Sequence, residues 1–261
     1  MRSFNALGAL MIGAACAAAA GEVRTEPIEF KDGGVSCRGW IAYDDTAKDK
    51  RPGVLVVHEW WGCNDYAKSR ARQLAELGYV AIAVDMYGEG KTTTDPAEAG
   101  QCASTVRKDL AQLRSRINGW HDVMKDRPEV DPARTAAIGY CFGGSTVLEL
   151  ARSGADVDAV VSFHGALATR MPASPGSVKA KILVCNGEAD TFVSAEEKDR
   201  FKKEMEAAKA SMTFVEYPGA VHSFTNPDAG ARGIQGVAYQ KEADEKSWEA
   251  MKAMFKEVCG K

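Results

Sequence analysis

One short stretch limits the possible folds of this chain more than any other. Residues 135–145 have the sequence Thr-Ala-Ala-Ile-Gly-Tyr-Cys-Phe-Gly-Gly-Ser, and residues 146–151 are typical of a helix. A strand, a tight turn and a helix are predicted, and the turn leaves no room for a Cβ at Gly139 or Gly143. Cys141 lies at the apex beside the free N–H groups of the helix start, which favour a thiolate. A buried structural cysteine would give the same pattern as a nucleophilic one, so other parts of the chain must decide between these two interpretations.

Apolar runs of strand length alternate with helical patterns along the chain. Runs at 23–30 and 35–43 flank a turn at 32–34 and predict a hairpin. Six further runs are typical of buried strands, and they lie at 54–58, 79–84, 135–140, 158–163, 181–186 and 212–217. One long helical stripe is predicted from Asp95 to Met124. This alternation predicts an α/β fold with a mostly parallel eight-stranded sheet, helices on both faces and a single domain over residues 21–261.

Three residues that follow predicted strands have the chemistry of a catalytic triad. Ligands bind beyond the carboxyl ends of the strands in an open parallel sheet. Cys141 follows the fifth strand, Asp190 the seventh and His222 the eighth, which is the order of the α/β-hydrolases. His222 can take the proton of the thiol, and Asp190 can fix the imidazole tautomer and stabilise the imidazolium. The chain order therefore predicts an α/β-hydrolase fold with a Cys-His-Asp triad.

The motifs around these positions resemble those of the dienelactone hydrolase family over nearly all of the chain after residue 33. They are His58-Glu59-Trp60-Trp61-Gly62, Gly139-Tyr140-Cys141-Phe142-Gly143-Gly144 and His222-Ser223-Phe224. The resemblance implies an ester or lactone hydrolase of the carboxymethylenebutenolidase type that forms an acyl-enzyme. It also implies that Glu59 pairs with the resting thiol and takes its proton when substrate binds. The backbone N–H groups of Phe142 and Trp60 would form the oxyanion hole, worth about 3–4 kcal/mol per donor.

The position of Glu59 predicts a raised pKa, which suits the proton transfer that the resemblance implies. The residue lies between a buried strand and two tryptophans, where a carboxylate is poorly solvated. Loss of solvation raises the pKa of a carboxyl group toward neutrality. A salt-bridged structural glutamate is the alternative.

The substrate pocket departs from the family pattern. In the family, arginines that follow the fourth strand and the catalytic histidine hold the substrate carboxylate. The corresponding stretches here, residues 87–90 and 224–226, contain no arginine. Lys91 lies nearby, although an ammonium group lacks the bidentate fork of arginine. An ester or lactone substrate is expected and its identity is left open. The candidate pocket residues are Trp61, Tyr87, Lys91, His164 and Phe224.

The first residues predict export. Residues 7–20 carry no charge, and Ala18-Ala19-Ala20 offers a cleavage site before Gly21. A signal peptide over residues 1–20 is predicted, since the apolar run is short for a membrane span. The mature protein would be periplasmic or secreted, with no membrane association. A lipoprotein acylated at Cys16 ranks second, because Gly13 stands where a large aliphatic residue is wanted.

Six cysteines remain after Cys16. No Cys-x-x-Cys spacing occurs, so neither a redox dithiol nor a zinc site is indicated. With Cys141 kept free as nucleophile, at least one more thiol must be unpaired in an oxidising compartment. The pairing is left open among Cys37, Cys63, Cys102, Cys185 and Cys259, and Cys185 is expected in the core.

Composition excludes some functions and leaves others open. A net charge of −3 argues against a nucleic-acid binder. No metal or cofactor is expected, a small ester or lactone is the expected partner, and a monomer is the expected state. The alternatives are a thioesterase or promiscuous carboxylesterase on the same fold, or a non-enzymatic thiol redox or binding protein. A metal site built from His58, Glu59, His164 and His222 would lack any ligand spacing motif.

Overall fold

The structure is a computed structural model that describes residues 22–260. The predicted signal peptide, with Cys16, lies outside the described residues. The strands are β1 (Val23–Asp32), β2 (Val35–Asp44), β3 (Arg51–Val57), β4 (Val80–Val84), β5 (Val130–Tyr140), β6 (Ala159–Phe163), β7 (Lys181–Gly187) and β8 (Met212–Tyr217). The helices are α1 (Asp65–Glu76), α2 (Pro96–Lys108), α3 (Leu110–Lys125), α4 (Phe142–Arg152), α5 (Ala195–Ala207) and α6 (Lys241–Cys259), with a short 3-10 helix at Ala229–Arg232.

The eight strands form one sheet in the order β1-β2-β4-β3-β5-β6-β7-β8. The β1–β2 hairpin and the β2–β4 pair are antiparallel, and all other neighbours are parallel. The predicted mostly parallel eight-stranded sheet is therefore confirmed. Its central strands are buried on both faces, which explains their continuous apolar sequences.

Alternate residues of the central strands supply two separate cores. Leu55 and Val57 pack in a cluster that includes apolar side chains of α3 and α4. Val54 and Val56 pack in a second cluster, with side chains of α1 and α6. All four strand residues are fully buried, and each such side chain contributes about 1.5–3 kcal/mol through the hydrophobic effect. Helices thus cover both faces, and the loops at the carboxyl ends of the strands remain available for a site.

The prediction of one continuous helix from Asp95 to Met124 is wrong. The structure ends α2 at Lys108 and begins α3 at Leu110. Asp109 between them leaves helical geometry, with φ −110° and ψ 84°, and its side chain accepts a hydrogen bond from the Gln112 backbone N–H at 3.0 Å. Aspartate competes in this way for backbone donors, so it ends one helix and caps the next.

None of the helices between residues 22 and 260 has the length and apolar character that a membrane span requires.

Candidate active site

The loops that follow β3, β5, β7 and β8 meet at one cavity of about 460 Å³. Glu59, Cys141 and His222 all line this cavity. Its wall is otherwise largely aromatic and aliphatic, with contributions from Trp60, Trp61, Tyr66, Phe192, Val193, Ile234 and Val237. Two carboxylates, Asp65 and Asp228, also line it. The sheet topology therefore brings together residues that are far apart in the sequence, at the edge where parallel sheets bind ligands.

Cys141 lies at the sharp turn between β5 and α4. Its φ is 53° and its ψ is −110°, a conformation that residues with a side chain rarely adopt. A Cβ at Gly139 would lie 2.1 Å from the Gly143 carbonyl oxygen, and a Cβ at Gly143 would lie 2.2 Å from the Val57 carbonyl oxygen. Both contacts are far too short, so the steric reason predicted for these two glycines is confirmed. The turn holds Cys141 in the cavity wall at the start of α4.

A hydrogen bond joins His222 to Asp190, and Cys141 faces the same cavity as His222. The Nδ1 atom of His222 lies 2.9 Å from Oδ2 of Asp190, and Cys141 and His222 both line the cavity. An ionised carboxylate only accepts hydrogen bonds, so Nδ1 carries a proton and donates it to Asp190. Asp190 is itself fixed, because its other oxygen accepts from the Phe192 backbone N–H at 2.8 Å.

The electrostatics around His222 favour an imidazolium. Burial alone lowers the pKa of His222, but the charge of Cys141 and the hydrogen bonds with Asp190 and Cys141 outweigh it and raise the pKa to about 10. A protonated His222 stabilises a thiolate on its neighbour, which is the form of cysteine that acts as a nucleophile. The structure thus brings the three predicted triad residues together, with the Asp190 carboxylate hydrogen bonded to His222 and with Cys141 among the groups that raise the pKa of that imidazole.

Glu59 is buried beside the triad, and its carboxylate is hydrogen bonded. Its carboxylate accepts hydrogen bonds from Ser223 Oγ at 2.9 Å and from Asn226 Nδ2 at 2.6 Å. Both of these partners of the carboxylate lie in the loop after β8, and the pairing of Glu59 with the resting thiol that the resemblance implies stays a prediction. Burial raises the pKa of Glu59, and the two hydrogen bonds oppose this rise only in part. The predicted direction of the pKa shift is confirmed.

Ser223 and Asn226 were not predicted as site residues. Both lie in the loop after β8 that also carries His222, and Ser223 has a left-handed φ of 57°. Asn226 lies in the stretch 224–226, where the family pattern predicts an arginine, so the sequence shows that an asparagine stands there instead. Its partner was not visible, because nothing local places a β8 loop residue against a carboxylate that follows β3.

The two residues predicted for the oxyanion hole lie beyond the carboxyl ends of the adjacent strands β3 and β5. Phe142 is the first residue of α4, so its backbone N–H has no acceptor within the helix. Its ring stacks on His58, with 5.5 Å between the ring centres, and this contact joins the loops after β3 and β5. Trp60 lines the cavity, and its carbonyl oxygen accepts a hydrogen bond from Tyr87 Oη at 2.9 Å.

Among the five predicted pocket residues, Trp61 lines the cavity and the other four do not. His164 and Phe224 are fully buried behind the catalytic loop. Tyr87 is engaged with the Trp60 carbonyl. Lys91 lies on the surface, where its ammonium group pairs with Glu98 at 3.1 Å because this carboxylate begins α2 nearby. The predictions for Tyr87, Lys91, His164 and Phe224 as pocket residues are therefore wrong.

Two arginines line the cavity from unexpected positions. Arg107, near the end of α2, holds its guanidinium 5.3 Å from the centre of the Phe142 ring. Arg232, in the 3-10 helix, holds its guanidinium 4.1 Å from the Trp61 ring and donates to the Thr94 carbonyl at 2.8 Å. Neither belongs to a motif, and their place in the fold depends on long-range packing. For this reason the sequence offered no signal for them.

In residues 22–260, no three His, Cys, Asp or Glu side chains are placed to hold a metal ion together. The His58 ring accepts a hydrogen bond from the Met86 backbone N–H at 3.3 Å and also bonds with the Glu59 carbonyl. This pairing fits the structural role at a strand end that its position suggests.

Comparison with known proteins agrees with this geometry. The sequence model of the dienelactone hydrolase family matches residues 38–259. A Methylorubrum extorquens protein, provisionally named a carboxymethylenebutenolidase, is 30% identical over 216 residues, with 79% of this chain and 72% of that protein covered. Protein usf of Aquifex pyrophilus is 29% identical over 236 residues, with 88% of this chain and 97% of that protein covered.

A solved structure of high similarity is that of a dienelactone hydrolase-like promiscuous phosphotriesterase from metagenomic libraries. It is 39% identical, with a TM-score of 0.88, and the match covers 91% of this chain and 99% of that one. The chain thus belongs to the dienelactone hydrolase family, and it is a carboxylic ester hydrolase with the α/β-hydrolase fold.

Proposed function

We propose that this protein hydrolyses carboxylic esters or lactones through a cysteine nucleophile and an acyl-enzyme. The observation that carries the proposal is the hydrogen bond of His222 with Asp190 at 2.9 Å, together with the position of Cys141 and His222 in the wall of one cavity. Chain order, the strained turn and the charge distribution each support the same assignment. Glu59 lines the same cavity and is proposed to belong to the catalytic set.

The first half of the reaction forms the acyl-enzyme. The Cys141 thiolate attacks the ester carbonyl carbon, and the electron pair of the C=O bond moves to the oxygen. Collapse of this tetrahedral intermediate breaks the bond to the leaving alkoxide, which takes a proton from the His222 imidazolium. For a lactone the leaving alkoxide stays attached to the acyl group. Asp190 keeps the imidazole in the tautomer that directs Nε2 toward the reacting atoms.

The second half regenerates the thiolate. Neutral His222 takes a proton from water as the water oxygen attacks the thioester carbonyl. The second tetrahedral intermediate expels the Cys141 thiolate and releases the carboxylic acid. His222 is protonated again at this point, which restores the resting ion pair. In both intermediates the backbone N–H groups of Phe142 and Trp60 are proposed to stabilise the oxyanion, at about 3–4 kcal/mol for each donor.

The substrate is proposed to carry a negative charge away from the reacting carbonyl. Arg107 and Arg232 line the cavity, and neither forms an ion pair with a carboxylate in the described part of the chain. Guanidinium groups recognise carboxylates through two parallel hydrogen bonds. These arginines would therefore bind the substrate carboxylate, in place of the arginines that the family has after the fourth strand and after the catalytic histidine.

A substitution series tests this substrate class. Arg107→Gln and Arg232→Gln should each raise the KM of an ester bearing a distant carboxylate by about tenfold, the equivalent of one charge-assisted hydrogen bond. The KM of a neutral ester of equal size should not change. Lys91→Gln is the matched control, since Lys91 lies outside the cavity and should affect neither substrate. Equal effects of the arginine variants on both esters would contradict the proposal.

The nucleophile is tested with a panel of lactones, aryl esters and thioesters. Cys141→Ala and His222→Ala should each lower turnover by several orders of magnitude, and Asp190→Asn should cost less. Triad members act as a unit, so the Cys141→Ala/His222→Ala double variant should be little worse than either single variant. Full additivity of the two losses in free energy would show that the residues do not cooperate.

Phosphotriester hydrolysis is a second candidate activity. It is favoured by the 39% identity to a solved structure that is described as a promiscuous phosphotriesterase. An aryl phosphotriester therefore belongs in the same panel. Cys141-dependent turnover of that compound above the rate for the esters would make it the better assignment.

Export is proposed from the sequence of residues 1–20. The mature protein would be a monomeric single domain that begins near Gly21, in the periplasm or outside the cell. Mass spectrometry of the native protein tests this proposal, and light scattering tests the monomer. A chain that retains Met1 in the cytoplasm would contradict export, and an acylated Cys16 would support the lipoprotein alternative.

A further inference from the structure

The imidazole of His164 lies directly behind the catalytic cysteine. It is fully buried, and its Nδ1 atom lies 3.1 Å from the Cys141 backbone nitrogen. The same N–H also donates to the Phe163 carbonyl at 3.0 Å, so it is shared between β6 and the His164 ring. The Nε2 atom of His164 lies 2.8 Å from Thr225 Oγ1. Both ring nitrogens therefore form hydrogen bonds, one with the turn after β5 and one with the loop after β8. The ring also meets the His222 ring edge-on, with 5.3 Å between their centres.

The hydrogen bonds determine the tautomer of His164. A backbone N–H can only donate, so Nδ1 must be the acceptor, and the proton of a neutral ring then lies on Nε2. Nε2 donates this proton to Thr225 Oγ1. Burial and the charges of His222 and Arg70 hold the pKa of His164 well below its usual value, so the ring stays neutral and keeps its acceptor.

Thr225 is in turn held from the opposite side. Its hydroxyl lies 2.8 Å from Tyr66 Oη, and its carbonyl accepts from Arg70 Nη2 at 2.7 Å. Arg70 also pairs with Asp244 of α6 at 2.5 Å. A buried polar chain therefore runs from α6 through α1 and Thr225 to His164 and ends at the Cys141 backbone.

A hydrogen bond at the Cys141 N–H can affect the direction of the Cys141 thiol. The rotation about the bond that follows this nitrogen is the left-handed φ of 53°. That angle sets where the thiol points relative to His222. A residue held in this region tends to relax unless its surroundings constrain it.

We propose that His164 is a positioning residue, which accepts the Cys141 N–H and thereby holds the thiol in line with His222. This role rests on the proposed function of Cys141 as nucleophile. His164 does not line the cavity, so its effect is exerted through the backbone of Cys141 and through its edge-on contact with the His222 ring.

Two variants of similar shape test the role, because only one of them keeps a hydrogen-bond acceptor at position 164. In His164→Asn the side-chain oxygen replaces Nδ1 as acceptor, and asparagine tolerates a left-handed φ such as the 41° found here. His164→Leu keeps the branched shape and removes the acceptor. We expect the leucine variant to lose about a hundredfold in kcat, as small misplacements do, with KM nearly unchanged. The asparagine variant should recover at least tenfold of that loss.

A packing role predicts no benefit from an acceptor, because the buried amide of asparagine would be partly unpaired. The left-handed φ of residue 164 also favours asparagine over leucine, so Thr225→Val, which leaves residue 164 in place, is measured beside the pair. A kcat for His164→Leu that equals or exceeds that of His164→Asn, or wild-type kcat in both, would overturn the proposal. His121→Leu is the matched control, since His121 is another buried histidine, and it lies on α3 away from the cavity. It should lower the melting temperature without lowering kcat.

Iodoacetamide alkylation of Cys141 separates this proposal from the proposed function. Alkylation near neutral pH depends on the thiol–imidazole alignment and not on finding a substrate. It should slow in His164→Leu and recover in His164→Asn even if no ester is turned over. Should His164→Leu fail to fold, Thr225→Val provides the second measurement. It should lower kcat by several-fold through loss of the Nε2 partner, and wild-type kcat and alkylation in that variant would overturn the proposal.

Discussion

At the scale of single residues, the site depends on a few side chains whose surroundings differ from water. Cys141 has a backbone conformation that costs of order 1–3 kcal/mol, and the packed turn around it supplies the compensation. Glu59 is 2% exposed and holds its carboxyl group against two neutral donors, Ser223 and Asn226. A carboxyl group in such a place takes up a proton more readily than one in water.

Replacement of Glu59 by glutamine separates proton transfer from structure. The amide keeps one oxygen to accept from Asn226, and the Ser223 hydroxyl can rotate to accept from the amide nitrogen. The fold should therefore stay intact. We expect slower ester turnover, because a neutral amide replaces the titratable carboxyl group that lies beside Cys141 and His222 in the cavity wall, and a changed rate of Cys141 alkylation without substrate.

Ser223→Ala is the matched control for this variant, since it removes one donor to the carboxylate and leaves the titratable group. If Glu59→Gln behaves like wild type in turnover and alkylation, Glu59 is a structural residue. If Ser223→Ala causes the same losses as Glu59→Gln, loop geometry rather than the proton explains the effect.

At the scale of elements, the junction of β5 and α4 has the least freedom. Gly143→Ala places a methyl group 2.2 Å from the Val57 carbonyl oxygen, which belongs to the neighbouring strand and cannot move alone. We expect a loss of at least about 3 kcal/mol in unfolding free energy, or failure to fold.

Gly230→Ala is the control for that substitution. A Cβ at Gly230 meets no atom within 4 Å, and its unfolding free energy should change by less than about 0.5 kcal/mol. Urea denaturation monitored by circular dichroism measures both variants. Similar values for the two would show that the turn can relax around a side chain.

The free energy of unfolding should depend on pH because α3 packs a buried histidine against β5. His121 is buried, and its Nε2 lies 3.0 Å from Thr135 Oγ1. Burial, with help from Lys125, lowers the pKa of His121 to about 4. The unfolded chain binds its proton near pH 6.5, so the neutral ring contributes stability above that pH, and this contribution is lost as pH falls toward 4.

The expected size is about 1.4 kcal/mol for each unit of pKa shift, or about 3 kcal/mol in all. Denaturation of wild type and His121→Leu at pH 7 and pH 4 measures it. The stability difference between the two proteins should become more favourable to the leucine variant at pH 4. An unchanged difference would show that His121 does not titrate in this range.

The sequence predicted those parts of the site that follow from local patterns. The runs that become β3, β5, β7 and β8, the Gly-x-Cys-x-Gly turn and the order of Cys141, Asp190 and His222 all leave local signals. Arg107 and Arg232 leave none, because a helix end and a loop reach the cavity only through packing. Lys91 was misplaced for a related reason, since a nearby glutamate on α2 pairs with it at the surface.

At the scale of the whole molecule, the described cysteines are all free. Burial raises the pKa of Cys37 and Cys259 to about 11 and of Cys63 and Cys185 to about 12. Cys102 and Cys141 are partly exposed. A chromogenic disulfide reagent should therefore titrate two thiols quickly in the native protein and the remainder only after unfolding.

The same titration tests whether a disulfide forms in an oxidising compartment. Protein prepared without reductant should give the same number of thiols as reduced protein when both are unfolded. A deficit of two would contradict the arrangement of free thiols. Cys141→Ala is the control, and it should remove one of the two fast thiols and leave the slow ones unchanged.

The polar chain that ends at the Cys141 backbone begins in α6, the last helix of the molecule. The order of synthesis gives this arrangement a consequence. The thiol leaves the ribosome before Asp190 and His222, and all three precede the helix that braces Arg70. Until those later segments are added, Cys141 is an ordinary thiol with neither a base nor a fixed backbone. The growing chain therefore carries no finished esterase, and reactivity arises only when the complete polypeptide closes on itself.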